Sequence, residues 1–200
     1  MTLRKPSSPL PPDPEIAELP KGYRLVRIYD PMRGPWDAHR FYGPISSGRF
    51  DHQPPPATDH RSRSVWYASN SLRGAVAESF GKLGFLDRDS ERRIVLARIA
   101  QPIAVLELLG VAVKRLKLTQ EIAATANYPL CQSYARAFYE QYATIKGIRW
   151  RGREIGSINL ALNDRADMTA LRPEADERIT HPDVWPRIAR AARVCHLEIV

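Results

Sequence analysis

The sequence predicts a mixed α+β domain with a mainly antiparallel sheet and flanking helices. Segments of two-residue alternation, clearest over residues 93–100, are interspersed with segments of helical spacing, strongest over 130–146. The two kinds do not alternate regularly, which argues against a doubly wound parallel sheet. Hydrophobic residues make up 44% of the 200, enough for the core of about one domain.

Residues 1–22 hold six of the seventeen prolines, with Ser, Asp and Lys between them. Proline fixes φ and lacks an N–H, so an extended or disordered arm is expected, neither helix interior nor ladder strand, ahead of a domain spanning 23–200. Residues 23–29 form a strand with Leu25, Arg27 and Tyr29 on one face and Arg24, Val26 and Ile28 on the other. Both faces are mixed, so one arginine points where it needs an anion or acceptor. Residues 30–63 are rich in Pro, Gly, Asp and His and form a long connection, a class of segment that is often functional when ordered.

Residues 64–68 make the next strand, and a helix starts at Ser69, Asn70 or Ser71, all competent N-caps. Leu72, Ala75, Val76 and Phe80 are its apolar stripe. Glu78 lies off that stripe near Gly74 and Ala77, where it either borders a cleft or faces water. Strands follow at 93–100 and 104–109, then a helix at 119–126 and the long helix of 130–146. Cys131, Tyr134, Ala135, Phe138, Tyr142 and Ile145 mark one face of the latter, which makes Cys131 a core side chain and not a nucleophile. Strands at 148–151 and 157–163, a helix at 182–194 and a strand at 196–200 complete the set.

The net charge of +8 and pI near 9.8 favour an anionic partner: nucleic acid, an acidic protein or a phosphate-bearing small molecule. Two cysteines outside any CxxC pattern suit a reduced, cytoplasmic setting. Arg4 and Lys5 precede prolines and not an apolar run, and the apolar region 102–113 is interrupted by Glu107, so neither a secretory signal nor a membrane span is expected. The five histidines lack paired metal-ligand spacing, and no GxGxxG, Walker or GxSxG pattern occurs.

What remains is a strand ending at Tyr67, a helix carrying one carboxylate at Glu78, and positive charge at Arg24, Arg27, Arg40 and Arg49. Separately, Arg149, Arg151 and Arg153 share one strand face, which either is solvated or grips phosphates. A basic nucleic-acid-binding module without catalysis is therefore a second reading.

Four stretches then fall in a telling order: Leu-Val-Arg-Ile-Tyr-Asp-Pro, Ser-Gly-Arg-Phe ending at Phe50, Val-Trp-Tyr-Ala, and Ala-Val-Ala-Glu-Ser-Phe. Gln132 and Gly-Ile-Arg-Trp-Arg-Gly-Arg followed by Asn-Leu-Ala-Leu extend the pattern. Together, over most of residues 23–165, they resemble the RES-domain family, the toxin half of bacterial RES–Xre toxin–antitoxin systems. One departure is Gly152, where many members carry Ser; Ser133 and Ser157 are the substitutes at hand. The resemblance implies a fold similar to ADP-ribosyltransferases and cleavage of NAD at the nicotinamide–ribose bond, by hydrolysis or phosphorolysis. ADP-ribosyl transfer to a macromolecule is a further alternative on the same site. NAD is then a substrate, phosphate a candidate co-substrate, and no cofactor is implied. An Xre-type antitoxin is the implied protein partner, with nucleic acid reached only through it; homo-oligomerisation is left open. The implied roles give Glu78 and Arg27 to catalysis, and Arg49, Tyr67, Tyr29, Tyr42 and Ser133 to substrate binding. Glu78 would stabilise charge on the ribose, the arginines would hold pyrophosphate or ribose hydroxyls, and the tyrosines would stack on nicotinamide.

Overall fold

Ten strands form among the residues that the computed structural model describes, which are 4–7, 9–39, 48–56, 58, 60–152 and 156–200. Tyr42, Arg40 and Arg153 lie outside them. The strands are Ile16–Leu19 (β1), Arg24–Tyr29 (β2), Val65–Ser69 (β3), Phe85–Leu86 (β4), Arg93–Ile99 (β5), Ile103–Leu108 (β6), Gly147–Arg151 (β7), Ile158–Asn163 (β8), Leu171–Arg178 (β9) and Glu198–Ile199 (β10). Eight join one sheet in the order β1-β6-β7-β8-β3-β2-β5-β9, while β4 and β10 form a separate parallel ribbon. Within the large sheet only β6 and β7 run parallel. The mainly antiparallel α+β architecture is the expected one.

Among the described residues five helices flank the strands: Leu72–Phe80 (α1), Ala112–Arg115 (α2), Glu121–Ala124 (α3), Tyr128–Gln141 (α4) and Trp185–Val194 (α5). The Ser71 hydroxyl caps α1 by accepting from Gly74 N at 3.1 Å, and the Asn127 side chain caps α4 by accepting from Leu130 N at 3.2 Å. The apolar face of α4, with Cys131, Tyr134 and Phe138, packs with Leu106, Leu108, Ile148 and Trp150 from one side of the sheet. Leu19, Trp66, Ile103, Leu160 and Leu162 fill the other side. A third cluster joins α1 to α5 through Val76, Phe80, Ile188 and Ala192. No helix among the described residues is long and apolar enough to cross a membrane.

The proline-rich segment departs from expectation. Pro14 and Pro20 flank β1 and leave its four residues clear to pair with β6, from Ile16↔Leu106 to Leu19↔Ile103. Further out, Leu10 is buried, exchanging hydrogen bonds with the Gln141 side chain at 2.7 and 2.8 Å, while the Tyr142 hydroxyl donates to Pro11 O at 2.6 Å. Prolines shape where this segment pairs; they do not keep it off the sheet. The strand β9 was also not foreseen, because Leu-Arg-Pro-Glu-Ala-Asp-Glu-Arg shows no apolar alternation. It is an edge strand exposed along most of its length, and it tolerates Pro173 beside a register shift against Leu96/Ala97. The predicted 119–126 helix shrinks to the single turn of α3, and α4 ends at Gln141 instead of reaching Lys146.

Candidate active site

The site begins as a split in the sheet. β2 keeps full register with β5 from Arg24↔Arg98 to Tyr29↔Arg93, and β3 with β8 from Val65↔Asn163 to Ser69↔Asn159, yet β2 and β3 share the single pair Val26↔Ser69. Beyond that pair the strands diverge, and Arg27, Ile28 and Tyr29 face Tyr67 and Ala68 across a cleft of about 410 Å³. Helix α1, the turn at Gly48–Arg49 and Tyr128 close its other walls.

Helix α1 brings Glu78 to the cleft because Gly74 lets it lie directly on the sheet. A Cβ at Gly74 would come within 2.0 Å of Ser69 Oγ and 2.6 Å of Ser157 Oγ. One turn later the exposed Glu78 accepts from Asn159 Nδ2 through Oε1 at 2.6 Å. Asn159 itself is 1% exposed.

Opposite, Arg27 is buried with its guanidinium carbon 5.2 Å from the centre of the Trp66 ring. That stacking holds a cation in the lining of the cleft, where its planar donors suit phosphate oxygens. Tyr29 follows on the same strand face, but its hydroxyl donates to Asp176 at 2.8 Å, and Arg93 Nε meets the same carboxylate at 2.9 Å. Burial first, then the Asp176 carboxylate, raise the Tyr29 pKa above its ordinary value. Its polar end thus ties β2 to β9, while the residue still lines the cleft.

The Gly-Arg-Phe segment is a turn locked by side chains. Gly48 N donates to Asp51 Oδ2 at 2.7 Å, Gln132 Nε2 donates to Gly48 O at 2.8 Å, and Phe50 N donates to the Tyr67 hydroxyl at 3.0 Å. The same hydroxyl donates to Asp51 Oδ1 at 2.7 Å. A Cβ at Gly48 would come 2.4 Å from Asp51 Oδ1 and 2.5 Å from the Tyr67 hydroxyl, so only glycine fits. Arg49 is buried and donates from NH1 to Thr125 O at 2.5 Å at the end of α3. Its guanidinium lies 4.7 Å from the Tyr128 ring, and Lys82 Nζ lies 4.1 Å from that ring. Arg49 and Tyr67 therefore line the cleft while also building its wall.

Arg27, Tyr29, Arg49, Tyr67 and Glu78 are thus brought together as the sequence suggested. Ser133 is not among the lining residues; its hydroxyl donates back to Leu130 O at 2.7 Å within α4, which corrects the expectation that it faces the substrate. Cys131 is fully buried, and burial raises its thiol pKa, in keeping with a core role. Sequence reasoning missed Asn159, Lys82, Arg92 and Tyr128. A signal existed for the first: Asn159, Ala161 and Asn163 share one face of a buried strand, and a buried amide in such a place needs a partner. The basic strand face also reads differently in three dimensions. Trp150 lines the cleft, so Arg149 and Arg151 point from the other face of β7, where Arg149 pairs with the buried Glu107.

Among the described residues the lining carries five cationic side chains, Arg27, Arg33, Arg49, Lys82 and Arg92, against two carboxylates, Asp30 and Glu78. Asp30 caps the turn that follows it and pairs with Arg33 Nε at 3.3 Å. The RES-domain family model matches residues 23–184, from the strand that carries Arg27 to the approach of α5. The chain belongs to the RES-domain family. No curated protein matches the sequence. This RES domain is similar in fold to a chain in the crystal structure of the M. tuberculosis MbcT–MbcA toxin–antitoxin complex, with 16% identity and a TM-score of 0.59 over 86% of this chain and 92% of that one.

Proposed function

We propose that this RES domain is the toxin of a toxin–antitoxin pair and that it depletes NAD by cleaving the nicotinamide–ribose bond. The observation that carries the reading is a carboxylate, Glu78, held on a buried amide in a cleft whose remaining charge is mostly positive. A dinucleotide asks for both: cations for its pyrophosphate, and one anion beside the ribose carbon that becomes positive. Nicotinamide leaves neutral, taking the electron pair of the C1′–N bond, so no general acid is needed. Water or phosphate then forms the new bond at C1′, and with water the displaced proton passes to solvent. Glu78 stabilises the oxocarbenium-like state between the two events. At about 4 Å and an effective dielectric near 20 such a charge contributes roughly 4 kcal/mol, on the order of a thousandfold in rate. Glu78 is exposed, so the substrate itself must displace water there for the full effect. Arg27, held over Trp66, anchors phosphate or ribose hydroxyls. Arg49 and Tyr67 shape the wall that the nicotinamide end meets.

The fold neighbour's description as part of a toxin–antitoxin complex supports an antitoxin partner, for which an Xre-type protein is the proposed class. The same reading carries the kinship with ADP-ribosyltransferases and the cytoplasmic setting. The test is NAD consumption by purified wild type beside Glu78→Gln, with and without phosphate, products separated by chromatography. The expected result is nicotinamide release by wild type and a loss of at least a hundredfold in the variant. A phosphate-dependent product names the acceptor, and label appearing on protein favours ADP-ribosyl transfer instead. Intact NAD with wild type, or equal rates for both proteins, overturns the reading.

A further inference from the structure

Asn159 is 1% exposed in the wall of the cleft, and its amide is held at both ends. Nδ2 donates to Glu78 Oε1 at 2.6 Å, and Oδ1 accepts from Ser157 Oγ at 3.3 Å. The orientation follows from chemistry, because a carboxylate only accepts and must face the amino end, while the serine proton suits the carbonyl end. Space is reserved for this arrangement. A Cβ at Gly152 would lie 2.7 Å from Asn159 Nδ2 and 2.9 Å from Ser157 Oγ, so a side chain at 152 requires one of these two groups to shift. Gly152 N in turn donates to Ser157 O at 2.6 Å, fixing the backbone that presents the serine. Ser157 also packs under Gly74, one turn before Glu78 on α1. The β8 ladder is made by main-chain atoms and asks nothing of an amide at 159, where an apolar side chain would be buried at lower desolvation cost.

We infer that Asn159 is a positioning residue, holding the Glu78 carboxylate in the rotamer that meets the ribose, with Ser157 fixing the direction of the amide. A glutamate side chain has many rotamers, and only some of them point into the cleft. The inference rests on the NAD-cleaving reading for what Glu78 acts upon, but the contact itself is measurable without substrate.

The experiment compares wild type, Asn159→Ala, Asn159→Asp and Ser157→Ala by steady-state NAD cleavage and by carboxyl ¹³C NMR titration of Glu78. Asn159→Ala is expected to lower kcat about 10- to 100-fold with KM within about threefold, and Ser157→Ala to lower kcat about three- to tenfold. Asn159→Asp places a second carboxylate against Glu78, and the pair then shares a proton. The acidic limb of its pH–rate profile should move up by about one unit or more, a change that a merely structural role would not produce. In NMR, loss of the amide donor raises the Glu78 titration midpoint by about half a unit to one unit in Asn159→Ala. If Asn159→Ala does not fold, Ser157→Ala and Asn159→Asp decide by the same readouts. Wild-type kcat together with an unmoved Glu78 titration in the variants overturns the inference. Should wild type itself spare NAD, the activity proposal fails on its own, and the titration alone still decides whether Asn159 holds Glu78.

Discussion

At Tyr67 one hydroxyl accepts from Phe50 N and donates to Asp51 Oδ1, and so joins β3 to the turn that presents Arg49. Tyr67→Phe keeps the ring against Trp150 but removes one partner from a fully buried Asp51. A loss of about 1–3 kcal/mol in urea unfolding is expected, with the far-UV spectrum unchanged. A second residue-scale consequence concerns pH. His52 is 3% exposed, stacked on Tyr139 at 4.3 Å, with Nε2 3.2 Å from Asp164 Oδ1. Burial holds its pKa below the ordinary 6.5, outweighing the upward pull of Asp164. Burial alone would raise Asp164, but hydrogen bonds from His52 and Tyr139 bring it below 3.8. Both signs agree. Below pH 6.5 the unfolded chain takes up a proton that folded His52 refuses, so stability falls with falling pH; the Asp164 contribution is lost later, as pH drops through its folded value. Urea midpoints between pH 7 and 5 should decline, and His52→Gln should make that decline shallower.

The elements decide where such residues meet. Helix α1 owes its placement to a serine cap and to Gly74, and the cleft owes its existence to two strands that share a single pair before diverging. The N-terminal segment is likewise an element of the fold, since Leu19 of β1 is fully buried among Trp66, Ile103 and Leu160. Leu19→Ala should therefore cost about 2–5 kcal/mol in denaturant unfolding, whereas a free arm would make it neutral. The parallel expectation at the centre of the other core is a loss of about 3–5 kcal/mol for Phe138→Ala, because α4 is anchored by that fully buried ring.

Across the whole molecule the charge distribution acts as a field. On the proposed NAD-cleaving function, the net +8 would concentrate the anionic dinucleotide near the surface, and the cations of the cleft would add local attraction. Raising ionic strength from about 50 to 500 mM shortens the Debye length from roughly 14 to 4 Å and should raise KM for NAD several-fold while leaving kcat nearly unchanged. An equal fall in kcat would mean that salt reaches the chemistry around Glu78 and not only the encounter.

The sequence alone determined the class of fold, most strand and helix positions, the N-cap of α1 to within Ser69, Asn70 and Ser71, and the isolation of Glu78 from the apolar stripe of its helix. These are local matters: alternation and helical spacing record which side of an element is apolar, and a capping hydroxyl acts within three residues. Tertiary structure alone decided that β1 and β9 complete the sheet, because edge strands need no apolar alternation. It also decided that Ser133 turns back on its own helix, that Arg149 pairs with Glu107 away from the cleft, and that Arg49 and Tyr67 serve the wall they line. The deciding contact, Asn159 on Glu78, joins residues 81 apart in the chain. Its geometry depends on the register of β8 with β3 and on how closely α1 approaches the sheet, which are settled by long-range pairing and packing and leave no periodic trace in the sequence.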